Sequence, residues 1–151
     1  MLVTNVRRAT PDDEECARAI LDEYNEAAGV VLRDNRAALR SYLCGPGALW
    51  LAHEADAIVG CIALRPLPET GAATYEVKRL YVQPAYRGVG VADALLDALE
   101  SHARTAGYRA LYLDTHDGLA AAIRFYTRRG YVRIPRYNDN TQATIFMRRM
   151  L

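Results

Sequence analysis

Apolar residues in this chain follow two periods. Ala17, Ile20, Leu21, Tyr24 and Ala28 fall on one helical face, as do Ala92, Leu95, Leu96, Leu99 and Ala103, and again Leu119, Ala122, Ile123 and Tyr126. Each stripe predicts an amphipathic helix, and each is closed by a glycine: Gly29, Gly107 and Gly130. "TPDDEE" reads as a helix start, with Thr10 able to cap, Pro11 at the first helical position and acids at the positive end of the dipole. A shorter helix is expected over residues 36–43, stopped by "GPG". Strand-like runs cover residues 3–9, 48–53, 57–64, 75–82, 110–114, 131–134 and 143–149, and "EAD" turns the second run into the third as a hairpin. The predicted order is β-α-α-β-β-β-α-β-α-β-β, which mixes antiparallel hairpins with one β-α-β crossover. With no repeat, linker or low-complexity stretch, residues 1–151 read as one α/β domain.

Composition narrows the partners. The 51% hydrophobic and 25% charged fractions are those of a globular protein with a sizeable core, and a net charge of +1 gives no global pull towards nucleic acid or an anionic membrane. Lys78 is the only lysine among 19 basic residues, a bias that a GC-rich genome produces. Cys16, Cys44 and Cys61 are odd in number and lack CxxC spacing, which fits small buried hydrophobes in a reducing, cytoplasmic setting. The early charges Arg7, Arg8, Asp12 and Asp13 do not suit a signal peptide, and apolar runs such as "AIVGCIAL" are too short to span a membrane. His53, His102 and His116 lack metal-ligand spacing with acids or cysteines, so no metal is expected.

The chemistry concentrates where a strand runs into a helix through "QPAYRGVGVA". A helix start offers free backbone N–H groups and a partial positive charge, and glycines let a bulky anion approach that backbone. Arg87 adds a full positive charge. The same glycines also suit a tight strand-to-helix turn. No lysine follows them as a Walker loop requires, and Asp93 stands where a dinucleotide fingerprint needs its third glycine. Asp114, ending the next strand, still keeps a ribose-binding, NAD-dependent reading open.

Arg87-Gly88-Val89-Gly90-Val91-Ala92 resembles the Q/R-x-x-G-x-G/A loop of the GNAT superfamily of coenzyme A-dependent N-acetyltransferases. "LYVQPAYRG" is similar to that family's fourth strand and following turn. "AIRFYTRRGY" is similar to its fourth helix, which ends in a tyrosine before a Gly-aromatic pair. The resemblance implies a mostly antiparallel mixed sheet flanked by helices, with a bulged and splayed fourth strand. It implies acetyl-CoA as cosubstrate, its pyrophosphate held by the backbone of residues 87–92, and its arm lying along Leu80, Tyr81 and Val82. Strict alternation would put Glu76 and Lys78 on the same face as Leu80 and Val82, so a bulge near Lys78 and Arg79 is expected.

The resemblance further implies direct acetyl transfer to a primary amine. An amine of pKa near 10.4 is neutral only about one part in a few thousand at pH 7. Glu76 is the candidate base, directly or through water, with Asp114 and His116 near the same cleft. Tyr126 is the candidate acid. Full proton transfer from a tyrosine to an alkyl thiolate is uphill by about 2 kcal/mol, so a hydrogen bond to the departing sulfur is the expected help. From periodicity alone Tyr126 equally suits a core position. Leu119 stands seven residues before it, where many relatives carry an asparagine that contacts the cofactor arm.

For the acceptor, the resemblance points to "AAGVVLRD" and "PRYNDNTQ". Tyr137, Asn138, Asp139 and Asn140 offer hydrogen-bonding groups in the second, and Arg65, Arg133 and Arg136 suit an acceptor carboxylate. Small amines, amino acids and protein or peptide amines all remain open. A non-enzymatic acyl-CoA-binding module is the alternative, and the final strands suit pairing in a homodimer.

Overall fold

Seven strands form one sheet in the order β1-β2-β3-β4-β5-β7-β6, in a computed structural model that describes residues 5–30 and 33–151. The strands are β1 (Asn5–Arg8), β2 (Ala48–Glu54), β3 (Ala57–Pro66), β4 (Thr74–Val82), β5 (Ala110–Thr115), β6 (Val132–Arg133) and β7 (Ile145–Met150). The helices are α1 (Glu14–Ala28), α2 (Arg36–Cys44), α3 (Val91–Thr105) and α4 (Ala120–Arg128). Val3 and Thr4 of the expected first strand, and Val31 and Leu32 of the loop between the first two helices, lie outside the described residues. Every pairing is antiparallel except β4 with β5, which α3 connects as the one crossover.

The helical stripes explain the layers. Leu95, Leu96 and Leu99 of α3 bury against Ile62, Leu64, Val77, Leu111 and Leu113 on one face of the sheet. Ile20, Leu21, Leu39 and Tyr42 of α1 and α2 cover Leu49, Leu51, Cys61 and Ala63 on the other. Near-continuous burial of β2 and β3 follows from being covered on both faces. The N-terminal cap differs in detail from expectation: the Asp13 carboxylate accepts the Thr10 N–H at 2.8 Å and is held by a two-pronged Arg7 contact. The Asn35 side chain caps α2 by accepting the Ala38 N–H at 2.9 Å.

The expected bulge is present in β4. Cys61 of β3 opposes Tyr81 and Ala63 opposes Lys78, so Ile62 faces both Arg79 and Leu80. Arg79 takes φ +60°. A left-handed conformation costs a non-glycine residue about 1–2 kcal/mol. Two contacts offset that cost here: the Arg79 guanidinium forms a two-pronged pair with Asp34, 2.9 Å at each prong, and lies over the Tyr24 ring. The bulge resets the side-chain alternation. Val77, Leu80 and Val82 pack on the α3 face, whereas Lys78 pairs with Ala63 on the α1–α2 face.

β4 also parts from β5. Their pairing runs only from Thr74 with Ala110 to Glu76 with Tyr112, which leaves Val77 to Val82 without a partner on that edge. On the far side of the splay, α4 is tied down by a buried ion network. Glu100 accepts from Arg129 (2.8 Å), Arg149 (3.1 Å) and the Tyr131 hydroxyl (2.9 Å), and Arg129 also reaches Asp93 and Asp97. The network fixes the end of α4 against α3 and β7, and so sets the position of Tyr126.

Candidate active site

The glycine turn opens one wall of a cleft of about 600 Å³ between β4, α3 and α4. Gly88 and Gly90 sit at φ +78° and +94°, which other residues adopt only with strain, and a Cβ at either would meet nothing within 4 Å. The space in front of this backbone is therefore open. Among the described residues, the amides from 88 to 93 have no protein acceptor, and the first amide of α3 to find one is Ala94, on Gly90 O at 3.0 Å. Such a cradle of unpaired N–H groups at a helix start suits a phosphate. Asp93, whose charge would oppose an anion here, is neutralised by Arg128 (3.4 Å) and Arg129 (3.0 Å). The Arg87 guanidinium folds back to donate to Val82 O at 2.7 Å and lies over the Tyr81 ring. Val89 is exposed, and Val91 is buried beneath the turn. Leu80, Tyr81, Val82 and Ala92 line the cleft.

The free edge of β4 leads inward from this cradle. Gln83 donates its N–H to Val59 O across the β3 side, so by strand alternation the Val82 and Leu80 amides point the other way, into the splay. They lie on the stretch along which the cosubstrate's arm is expected.

Beyond the bulge lies a polar cavity of about 440 Å³. Glu76 is its most constrained member, only 1% exposed. One carboxylate oxygen accepts from Arg65 Nε at 2.7 Å and lies 3.4 Å from Lys78 Nζ; the other accepts from the Tyr137 hydroxyl at 2.6 Å and Asn138 Nδ2 at 3.4 Å. Burial pushes the Glu76 pKa up, but the Lys78 charge, the Tyr137 hydrogen bond and Arg65 together outweigh it and hold the carboxyl below its usual range. Asp114 faces the same cavity and accepts from Asn138 (2.6 Å) and Asn140 (3.3 Å). His116 lines it beside Asp114. Tyr137 lines a second hollow instead, behind Arg65, with its hydroxyl committed to Glu76.

A narrow hollow of about 90 Å³ joins the two regions, and Tyr126 lines it with Lys78, Arg79, Leu80 and Asp114. Burial drives the Tyr126 phenol well above its ordinary pKa, so it stays protonated across the neutral range. Tyr24 and Leu119 line all three spaces and form the throat between cleft and cavity. Leu119 is 38% exposed and presents an apolar surface there.

The expected site residues thus divide. Leu80 to Ala92 surround the cleft, Glu76, His116 and Asn138 gather in the cavity, and Tyr126 stands between them. Asp114, weighed as a ribose-binding acid, lies in the cavity and the narrow hollow and not against the glycine turn. Of the three arginines considered for a carboxylate, only Arg65 lines the cavity. Arg136 is spent on the carbonyls of Asn138, Asn140 and Ala143 and on the Phe146 ring. Sequence reasoning missed Tyr24, the Arg79–Asp34 pair and Arg128. Tyr24 was visible only as one member of an apolar stripe. The ion pair joins positions 45 residues apart, and no local pattern announces it. Arg128 closes α4 as an ordinary basic last turn.

The sequence model of the acetyltransferase (GNAT) family matches residues 13–131. An uncharacterized N-acetyltransferase of Schizosaccharomyces pombe is 30% identical over 146 residues, covering 91% of this chain and 88% of that one. The chain spans 43–50% of the length of several vertebrate N-acetyltransferases that it also matches. In fold, a GNAT-family acetyltransferase from Staphylococcus aureus Mu50 superposes with a TM-score of 0.80 at 23% identity, over 98% of this chain and 99% of its own. The PaiA N-acetyltransferase of Thermoplasma acidophilum, solved in complex with coenzyme A, does so with 0.74 at 16% identity over 99% of each chain. Among the described residues no helix is long and apolar enough to cross a membrane, and no cluster of acids, histidines and cysteines suits a metal. The splayed fourth strand and open glycine turn are therefore not a coincidence of local geometry: this chain belongs to the GNAT family of acetyltransferases, enzymes whose cosubstrate is acetyl-CoA.

Proposed function

We propose that this protein acetylates a primary amine by direct transfer, with the cosubstrate in the glycine-lined cleft and the acceptor in the polar cavity. One observation carries this reading. The unpaired edge of β4, Val77 to Val82, lines the cleft beside the amide cradle at Gly88–Gly90 at one end and the narrow hollow beside Tyr126 at the other. Acetyl-CoA supplies the activated thioester. The amides of residues 88–93 hold the anionic end, with Arg128 at the mouth of the cleft. The Val82 and Leu80 amides hold the arm and the oxygen on which charge develops.

The proton work falls to two side chains. Glu76 is ionised at neutral pH but held below its ordinary pKa, so it is too weak a base to strip an ammonium group in one step. It acts through water, orienting the molecule that carries the amine's proton to solvent. Tyr126 keeps its proton and donates a hydrogen bond to the departing sulfur. No cysteine contributes an acyl-enzyme: Cys61 is buried with its thiol pushed up to about 12, and Cys16 and Cys44 line none of the three spaces.

The test pairs calorimetric titration against acetyl-CoA, with NAD as control, and an assay of thiol release with a panel of primary amines. Saturable binding of acetyl-CoA but not NAD, with amine-dependent thiol release, is expected. Binding without release from any amine would favour a non-enzymatic acyl-CoA-binding module. No binding at all would remove the cleft from consideration as a coenzyme A site.

A further inference from the structure

The polar cavity holds more positive charge than its buried carboxylate requires. Glu76 alone would be satisfied by one cation, yet Arg65 Nε and Lys78 Nζ both approach the same oxygen, at 2.7 and 3.4 Å. Its other oxygen is already filled by Tyr137 and Asn138. Arg65 uses only Nε in this contact. Among the described residues its two Nη atoms donate to no protein acceptor, and the side chain, 41% exposed, lines three hollows. A guanidinium fork left open in this way is matched to a carboxylate. The third cation on the wall, Arg79, is neutralised by its two-pronged pair with Asp34.

The opposite side of the cavity has the reverse sign. Asp114 commits one oxygen to Asn138 and Asn140, and among the described residues its other oxygen has no donor. Asp139 is exposed on the same wall. Asp114 also lines the narrow hollow with Tyr126, so an ammonium group drawn to it stands at the throat through which the cosubstrate's thioester would enter. The cavity is therefore bipolar, with Asp114 and Asp139 on one wall and Arg65 and Lys78 on the other, and Asp114 and Lys78 both also line the narrow hollow beside Tyr126.

We propose that the acceptor is a free amino acid, its carboxylate on Arg65 and Lys78 and its amino group beside Asp114. The inference rests on the acetyl-transfer reading above and specifies its second substrate. In the reaction the amine nitrogen bonds to the acetyl carbonyl carbon and the carbon–sulfur bond breaks. The ammonium nitrogen loses two protons through water to solvent, one before it attacks and one as the amide forms, and the released thiolate takes one proton back, so one proton is released per turnover. The carboxylate is untouched and serves only to orient.

The test measures thiol release with each proteinogenic amino acid beside its carboxamide and its decarboxylated amine. At least one amino acid is expected to exceed both analogues in kcat/KM by tenfold or more. Arg65→Gln should raise KM for that amino acid by tenfold or more while leaving KM for its carboxamide within twofold. Lys78→Gln should shift KM in the same direction by less, and it provides a second variant should Arg65→Gln disturb the buried Glu76. Equal use of amino acids and carboxamides, or a preference for the amines lacking a carboxylate, overturns the inference and leaves acetyl transfer standing. Acetyl-CoA binding with turnover of none of the three sets also overturns it. Failure to bind acetyl-CoA at all overturns the reading beneath it.

Discussion

The glycine-lined cleft and the polar cavity adjoin at Tyr24 and Leu119 but are built on opposite plans. The cleft draws most of its lining from one contiguous stretch, Leu80 to Asp93, where a turn and a splayed strand leave amides unpaired, with residues of α1 and α4 closing it. The cavity is mostly charged and amide side chains, drawn from β3, β4, β5 and the loop before β7, and held by hydrogen bonds spanning 11 to 62 residues. Backbone recognition suits a ligand common to a whole family, because any side chain outside the loop can vary without altering it. Side-chain recognition suits a ligand particular to one member. The two regions should then fail separately: damage to the cleft should abolish cosubstrate binding, and damage to the cavity should abolish turnover.

Glu76→Gln is the strongest test of that separation. Losing a carboxylate that orients the proton-carrying water should lower kcat by about 10²–10⁴-fold, with the acetyl-CoA Kd from calorimetry within twofold of the parent. Equal losses in both would mean that Glu76 holds the β4 bulge in shape rather than serving the reaction. Gly90→Val tests the other half. Its φ of +94° disfavours any side chain, but nothing in the protein crowds the new Cβ, so the cost to folding should be about 1–2 kcal/mol. Two obstructed or misaligned charge-assisted hydrogen bonds should weaken acetyl-CoA by about 100-fold. A large fall in Tm with little change in Kd would mark the loop as architecture.

Tyr126→Phe probes the boundary between the regions. Its phenol is buried and stays protonated, so the variant loses only a hydrogen bond to the leaving sulfur. A fall in kcat of about 10–100-fold is expected, with binding unaffected. Parallel losses in kcat and binding would return Tyr126 to the aromatic packing it shares with Phe125 and Tyr131.

The same contrast explains how much could be read before the fold was seen. The helical stripes, the crossover and the glycine loop are local patterns, and they were legible to within a few residues. The bulge was legible too, as a conflict: Glu76 and Lys78 alternate with Leu80 and Val82 in a way that no flat strand satisfies. The cavity was legible only as types of residue. Glu76, Asn138 and His116 could be nominated, but that Tyr137 would spend its hydroxyl on Glu76, or that Arg65 would keep its fork open while Arg136 buried its own in carbonyls, depends on long-range packing. Tyr24 looked like core because a helix stripe looks alike whether it faces a core or a throat.

A smaller effect bears on the cavity alone. The folded-state pKa of Glu76 is lowered, so the unfolded chain binds its proton more readily. The carboxylate therefore contributes stability that is complete above its unfolded value, about 4.3, and is lost as pH falls through the folded value. Denaturant midpoints measured from pH 6 downwards should fall more steeply for the parent than for Glu76→Gln. Parallel curves would mean that Arg65 and Lys78 do not hold the carboxylate as the geometry indicates.

Leu119 offers the finest test, because it belongs to both regions. Its side chain lies at the throat, partly exposed, where the family resemblance implies an asparagine. A single neutral hydrogen bond contributes about 0.5–1.5 kcal/mol, so Leu119→Asn should tighten acetyl-CoA by about 2–10-fold if the arm passes the residue within reach. Stability should change little, since removing a half-exposed leucine leaves no sealed cavity. An unchanged Kd with altered acceptor KM would move Leu119 to the cavity side of the throat, where its apolar surface contacts the acceptor's side chain. The direction of that one variant decides where the cleft ends and the cavity begins.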